Sequence, residues 1–220
     1  MSRLRLSCAS AIFALSLAAC GGASQTPEAA EGEGQAAETT APRGPELAAE
    51  ITALLSQARA CNSAAYSSPT FEMPERDENT ADADFNALTS QLFLDANAQQ
   101  PCVFSTPSGL QFLIRKGSNS GQSPVSGEMV RVHYHGQLID GTVFDSSYER
   151  LVAAEFPSNR LISGWVEALP MMREGEAWTL FISPELGYGT RGTPGGPIGP
   201  NQALVFNLEL LGLPGREQGQ

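Results

Sequence analysis

The only two histidines of the chain, His133 and His135, lie within the sequence VRVHYHGQLIDGTVFDSS, spaced as His-x-His. On a strand, such a pair could chelate a metal ion, because both side chains would point to the same side. A metal site needs further ligands, the chain has no third histidine, and Asp140 and Asp145 could contribute only across a turn. We therefore expect no metal and no other cofactor, and we interpret both histidines as solvent-facing.

Nucleophilic catalysis and phosphate binding have no better support. The sequence lacks a Gly-x-Ser-x-Gly elbow, and neither Cys61 nor Cys102 lies near a histidine along the chain. The glycine-rich segment 189–200 lacks the Lys-Ser/Thr ending of a phosphate-binding loop. What remains is a set of aromatic and apolar side chains with one carboxylate among them: Tyr134, Phe144, Asp145, Phe156, Ile162, Trp165, Tyr188 and Phe206. Each fits a core position taken singly, and the set also fits the lining of a ligand pocket.

The elements that must position these residues are strands. Residues 128–139 alternate, with Val132 and Tyr134 on an apolar face and the two histidines on the polar face. Residues 109–117, 176–184 and 203–213 predict three more strands. One short helix fits at residues 165–172. The pattern predicts an α+β domain, a mostly antiparallel sheet with one helix packed across it.

Two helical patterns precede this domain. One begins at Pro45, which suits a first helical turn, and the other includes Phe85 and Phe93 before Pro101 ends it. Cys61 and Cys102 are a candidate disulfide between these regions, and two separate buried thiols are the open alternative. The predicted division is 46–101 for a helical region, 102–214 for the sheet domain and 215–220 for a tail.

The N-terminus predicts export. Arg3 and Arg5 precede a short apolar run that ends in LAAC at Cys20, which resembles a bacterial lipobox with a lipidated cysteine. Residues 1–19 are therefore expected to be a signal peptide, and residues 20–45 a disordered tether without large apolar side chains. The net charge of -11 argues against nucleic-acid binding.

The order of four motifs is specific. The segments VHYHGQLIDGTVFDSS, LISGWVEALPMMREGE, LFISPELGYG and GGPIGPNQALVFNLELL resemble an FKBP-type peptidyl-prolyl cis/trans isomerase over residues 109–213. The preceding segment, QLFLDANAQQPCVFSTPSGLQFLIRKG, resembles the Mip-like branch of bacterial envelope proteins. The resemblance implies a bent antiparallel sheet wrapped around one short helix, with an apolar pocket between them.

The resemblance also implies the site. Asp145, Tyr188 and Phe206 would be catalytic, and a second set would bind substrate: Tyr134, Phe144, Phe156, Leu161, Ile162, Trp165 and Ile198. Trp165 would form the pocket floor, while the Ile162 N–H and the Tyr188 hydroxyl would each bind a substrate carbonyl. Ala154 and Thr193 depart from residues that are common in the family, and we expect them to affect substrate preference and macrolide affinity more than the fold.

The implied activity is isomerisation of X-Pro bonds in unfolded or partly folded envelope proteins, without a cofactor. A holdase that grips apolar segments with little turnover is the alternative from another class, and an assembly scaffold that dimerises through its N-terminal helices is a third. Macrolide inhibitors and a homodimer are expected partners to test. Gly21 after Cys20 lacks the Asp that retains lipoproteins on the inner membrane, which favours the outer membrane, facing the periplasm.

Overall fold

The computed structural model describes residues 44–217. The predicted signal peptide, lipidated Cys20 and tether lie outside these residues, as does the end of the tail. No helix of the described part is long and apolar enough to cross a membrane. The described residues belong to one compact unit.

Two 17-residue helices open the described chain, α1 at Gly44–Ala60 and α2 at Asp82–Ala98. Pro45 lies in the first turn of α1, where its missing N–H costs nothing. Acidic side chains in the first turns, and Arg59 in the last turn of α1, match the helix dipole. Both helices lie where the apolar spacing predicts them.

The sheet has seven antiparallel strands: β1 Phe104–Ser105, β2 Gln111–Lys116, β3 Met129–Leu138, β4 Val143–Ser146, β5 Ala154–Pro157, β6 Ala177–Ile182 and β7 Leu204–Gly212. Their order is β1-β2-β6-β7-β3-β4, and β5 pairs with the first half of β3. Three short helical turns connect them, at Leu169–Met171, Pro184–Leu186 and Gly189–Arg191. A fourth such turn, Ser63–Ala65, follows α1.

Helix α3, Ser163–Ala168, packs on one face of the sheet, and α4, Pro214–Glu217, follows β7. Gly164 allows a close approach, because a Cβ there would lie 3.0 Å from the side chain of Ile182. Trp165, Ala168 and Leu169 join the main core with alternate residues of β3, β6 and β7. The predicted α+β class, an antiparallel sheet around a short helix, is confirmed.

A second core occupies the opposite face of the sheet. Leu113, Phe181 and Val205 pack there against Phe93 and Leu94 of α2. Strand β2 is therefore buried on both faces at positions 112–114, whereas the alternation of Leu110, Phe112 and Ile114 predicts one apolar face. The reason is that α2 covers the face that alternation alone leaves to water.

Buried hydrogen bonds fix the position of α2 against the sheet. The Asn97 side-chain amide donates to Gln111 Oε1 at 2.8 Å, and Gln111 Nε2 donates to the Leu94 carbonyl at 2.9 Å. Ser90 Oγ donates to the Asn201 carbonyl at 2.9 Å and accepts from the Ala203 N–H at 2.8 Å. Each polar group that α2 buries here has a partner, which limits how the helix can slide.

The C-terminal end of α1 is attached in two ways. Arg59 Nε donates to Glu176 Oε1 at 2.8 Å, and the Glu176 side chain is 0% exposed. Two residues later, a disulfide joins Cys61 to Cys102, with a Cα–Cα distance of 5.7 Å. Closing a loop of this length stabilises a fold by about 4 kcal/mol on the chain-entropy model. Helix α1 is therefore held to the sheet domain covalently.

Candidate functional site

Strand β3 places the candidate pocket residues on one side. Its buried positions alternate strictly, so Tyr134 lies in the core while His133 and His135 lie on the other face. Gly136 follows on the Tyr134 face, where a Cβ would lie 2.6 Å from ring atoms of both Phe144 and Phe206. The absence of a side chain at Gly136 makes room for these two rings.

The aromatic rings around the pocket contact one another edge to face. Phe144 and Phe206 have ring centroids 5.3 Å apart, at an interplanar angle of 80°. Trp165, which is 4% exposed, meets Tyr134 at 5.3 Å and Phe206 at 5.1 Å in the same geometry. Edge-to-face packing holds each ring in one orientation. These rings together form an apolar wall of the pocket, and Trp165 lies in contact with both Tyr134 and Phe206.

The pocket has a volume of about 520 Å³. Ten residues line it: Tyr134, Phe144, Asp145, Phe156, Arg160, Leu161, Ile162, Trp165, Tyr188 and Phe206. The volume lies in the range of small-molecule sites, and an apolar lining with a few polar groups is typical of them. No serine, cysteine, histidine or lysine side chain is among the lining residues.

The negative charge of Asp145, the one carboxylate in the lining, is balanced by neighbouring side chains. Tyr134 Oη donates to Asp145 Oδ2 at 2.5 Å, and Arg150 forms an ion pair with Asp145. Arg150 Nη2 also donates to Tyr134 Oη at 2.7 Å. Burial opposes ionisation of Asp145, but the hydrogen bonds from Tyr134 and Arg150 outweigh it and lower the pKa of the carboxyl below its ordinary value. Asp145 is therefore charged and paired at neutral pH.

Besides the Arg160 guanidinium and the buried Trp165 Nε1, two donors in the pocket have no hydrogen-bond partner in the described chain. The Tyr188 hydroxyl makes no hydrogen bond within residues 44–217, and burial, followed by the charge of Asp145, raises its pKa above the ordinary value. The Ile162 N–H likewise has no acceptor in this range, while the Ile162 carbonyl accepts from Trp165 and Val166 at the start of α3. Both donors remain available to a ligand.

Nine of the ten catalytic and substrate-binding residues predicted from the sequence come together around this pocket. The tenth, Ile198, is 4% exposed, belongs to the main core and is not among the lining residues. Backbone and side-chain hydrogen bonds close the loop that carries Ile198. Thr193 N–H donates to the Ile198 carbonyl at 2.8 Å, and Ile198 N–H donates to Thr193 Oγ1 at 3.1 Å.

Two arginines near the pocket were missed by the sequence interpretation. Arg150 lies five residues after Asp145, and Arg160 directly precedes Leu161. Closeness along the chain to predicted site residues was the available signal. This signal is weak, because exposed arginines are common and most do not line a pocket.

The two histidines lie outside the pocket, as the strand alternation predicted, but they do not simply face water. Both are half-buried on the outer face of the sheet. The His133 ring stacks on Tyr148 at 4.6 Å, and its Nδ1 lies 2.9 Å from Ser147 Oγ. Within residues 44–217, no group of three or more His, Cys, Asp or Glu side chains could hold a metal.

The residues around the pocket also match a known family. The model of FKBP-type peptidyl-prolyl cis-trans isomerases matches residues 120–211, which contain the whole lining. A 22 kDa FKBP-type peptidyl-prolyl cis-trans isomerase of Escherichia coli is 48% identical over 143 residues, which cover 64% of this chain and 68% of the relative. The chain belongs to the FKBP family. The predicted resemblance, including its Mip-like bacterial branch, is confirmed.

Other FKBP proteins agree with this assignment. The outer membrane protein MIP of Legionella longbeachae is 42% identical over 129 residues, covering 59% of this chain and 54% of the relative. The crystal structure of FkpA from Escherichia coli matches with a TM-score of 0.57 at 36% identity, over 60% of this chain and 61% of that one. The chain spans about half to two thirds of the length of the curated FKBP relatives it matches.

Proposed function

We propose that the protein is a peptidyl-prolyl cis/trans isomerase that acts on unfolded or partly folded proteins containing proline. The observation that carries the proposal is the pocket: aromatic rings enclose it, and its one carboxylate is already paired with Arg150 and Tyr134. Such a site suits a reaction that needs neither a nucleophile nor a metal. Names of FKBP-type isomerases among the relatives support the same activity.

The chemistry is rotation about one amide bond. The barrier of about 18 to 20 kcal/mol arises because the C–N bond must lose its double-bond character. An apolar pocket disfavours the charge-separated planar amide, and rigid walls can fit the twisted form better than the planar one. Each tenfold acceleration requires about 1.4 kcal/mol of such preference.

The two free donors would set the orientation of a peptide bound in this pocket. The Ile162 N–H would bind one substrate carbonyl, and the Tyr188 hydroxyl another, so that the proline ring lies over Trp165. The chain would then be held on both sides of the rotating bond. Asp145 keeps Tyr134 in place and supplies a fixed charge beside the twisting carbonyl, with no proton transfer.

An isomerase assay tests the proposal. The compact unit of residues 42–220 should accelerate cis-to-trans exchange in a proline peptide. Phe206→Ala should reduce kcat/KM by about tenfold or more, because it opens one wall of the pocket. Leu211→Ala, an exposed change on the same strand, is the matched control and should leave the rate unchanged. Absence of acceleration by the unaltered protein would refute the isomerase assignment.

The holdase alternative makes a different prediction. If the protein acted only by gripping apolar segments, Asp145→Ala would leave suppression of client aggregation intact and no isomerisation would be measured in either protein. We expect instead that the unaltered protein catalyses exchange and that Asp145→Ala lowers its rate. Paired aggregation and isomerisation assays distinguish the two functions.

We further propose that the protein works in the bacterial cell envelope, anchored to the outer membrane through acyl chains, palmitate among them, on Cys20 and facing the periplasm. The name of the Legionella relative, an outer membrane protein, and the LAAC motif support this location. Several acyl chains anchor a protein firmly where one does not. Cys20→Ala should move the protein from the membrane to the soluble fraction, and an unchanged distribution would refute lipid anchoring.

Two partner proposals follow from the same residues. A macrolide should compete with proline peptides for the pocket, which a displacement titration measures.

A homodimer would use the exposed N-terminal half of α1, where Leu47 lies. Light scattering of residues 42–220 with and without Leu47→Glu tests the dimer, and a monomer at all concentrations would rule it out.

A further inference from the structure

Arg160 places a positive charge on the wall of the pocket. The residue is exposed, lies between β5 and α3, and is part of the pocket lining. Its backbone N–H donates to the Pro157 carbonyl at 3.1 Å, which fixes the turn that carries it. Its guanidinium forms no hydrogen bond or ion pair within residues 44–217, so this cation is available to a ligand.

The other charges around the pocket are already compensated. Asp145 is paired with Arg150 and accepts a hydrogen bond from the Tyr134 hydroxyl. Tyr188 is neutral near pH 7, because the ordinary pKa of tyrosine is about 10, and burial and the charge of Asp145 raise its pKa further. The uncompensated charge in the lining is therefore positive, although the whole chain has a net charge of -11.

The position of Arg160 shows which part of a substrate it would meet. Arg160 lies two positions before Ile162, whose free N–H is the proposed anchor for a substrate carbonyl. A peptide held by that N–H, with its proline over Trp165 as proposed above, would pass Arg160 at a residue beside the proline. A guanidinium recognises a carboxylate through two parallel hydrogen bonds, more strongly than a neutral amide.

We propose that Arg160 is a specificity residue that favours substrates with an aspartate or glutamate within two residues of the proline. The proposal rests on the isomerase function proposed above and names the substrate class that its pocket prefers. Because the contact is at the rim and exposed, we expect a preference of about threefold to tenfold for Glu over Gln. Salt should weaken the preference, since both charges are accessible to ions.

The experiment uses the full chain and three proline peptides that differ only at one flanking position, with Glu, Gln or Lys. The unaltered protein should rank kcat/KM as Glu, then Gln, then Lys. Arg160→Gln should remove the ranking, and Arg160→Glu should reverse it. Lys116→Gln removes one positive charge from β2, outside the pocket lining, and should keep the original ranking.

Each result is decisive. Equal rates for Glu and Gln peptides with the unaltered protein, or an unchanged ranking in Arg160→Gln, would overturn the role of Arg160. Absence of isomerisation with every peptide would refute the proposed function instead. The role of Arg160 would then be tested by comparing the affinities of the Glu, Gln and Lys peptides, measured by tryptophan fluorescence. Should an Arg160 variant fail to fold, loss of the Glu preference at high salt supports the proposal, and its persistence overturns it.

Discussion

Gly136 has no side chain, and this leaves room for two aromatic rings of the pocket. A Cβ at this position would lie 2.6 Å from a ring atom of Phe144 and 2.6 Å from one of Phe206. We expect Gly136→Ala to displace both rings, to lower kcat/KM about tenfold and to cost about 1 to 3 kcal/mol of stability. Peptide isomerisation and urea unfolding measure the two effects.

Gly117→Ala is the control for that change. A Cβ at Gly117 meets nothing within 4 Å, so activity should be unchanged. If Gly136→Ala were as active as Gly117→Ala, the Phe144 and Phe206 rings would not need their present positions for function.

Asp145 should make stability depend on pH in one window. Hydrogen bonds from Tyr134 and Arg150 outweigh burial and hold its native pKa below the ordinary carboxyl value. Its stabilising contribution is therefore complete above the unfolded pKa, about 3.9, and is lost as the pH falls through the lower native pKa. We expect the stability difference between the unaltered protein and Asp145→Asn to shrink below about pH 4, measured by urea unfolding.

The control for this pH series is Glu149→Gln, an exposed change on the same turn. The stability difference between Glu149→Gln and the unaltered protein should not show the same decrease below about pH 4. A difference between Asp145→Asn and the unaltered protein that stays constant down to the lowest pH would show that the pairs with Tyr134 and Arg150 do not hold the carboxylate in its charged form.

At the scale of single residues, the sequence predicted the pocket well for a physical reason. Strand alternation put Tyr134 inside and the histidines outside, and the family motifs supplied the rings from distant segments. The partners of Asp145 could not be predicted in the same way. Arg150 reaches it only because the turn after β4 folds back, and that geometry depends on three-dimensional packing.

Among the elements, the turn between β4 and β5 holds an unusual residue. Leu151 has φ of 55° and is 88% exposed, so it takes a left-handed conformation without any burial to offset the strain. That conformation costs a branched or bulky residue about 1 to 2 kcal/mol, and asparagine tolerates it better. Leu151→Asn should raise the free energy of unfolding by about 1 kcal/mol, measured in urea.

Val152→Asn is the matched change for this turn. Val152 is 66% exposed and has no positive φ, so the same side chain there should give no gain in stability. An equal gain at both positions would point to lower surface hydrophobicity rather than to backbone strain at Leu151.

The long elements were predictable, and the short ones were not. Helices α1 and α2 and the four long strands carry enough apolar spacing to be recognised. Strands β1, β4 and β5 have two to four residues each, too few to show a period, and they form because longer neighbours offer open edges. The second core was missed because Phe181 and Val205 look like ordinary strand residues until α2 is placed above them.

For the molecule as a whole, the noncovalent attachment of the C-terminal end of α1 includes an ion pair between Arg59 and the buried Glu176. Glu176 is fully buried and accepts from Arg59, from Trp178 Nε1 at 3.0 Å and from the Arg173 N–H at 3.0 Å. Arg59→Ala should cost about 3 kcal/mol, because the carboxylate loses its counter-charge in the interior. Chemical unfolding measures the loss.

A double variant distinguishes this explanation from loss of packing. Arg59→Ala combined with Glu176→Gln should cost clearly less than the sum of the two single changes, because no buried charge remains unpaired. Additive losses would show that Arg59 stabilises the fold through its contacts alone. The Cys61–Cys102 disulfide keeps α1 attached in all three variants, so the comparison reports the ion pair.

The position of β7 in the sheet determines when this protein can begin to work. The strand lies between β6 and β3 although it is the last to be synthesised, and it pairs with both along most of its length. It also contributes Phe206 to the pocket. Until residues 204–212 are in place, no strand joins β6 to β3 and the pocket lacks Phe206. A protein proposed to assist the folding of others must finish its own last strand before it has a site.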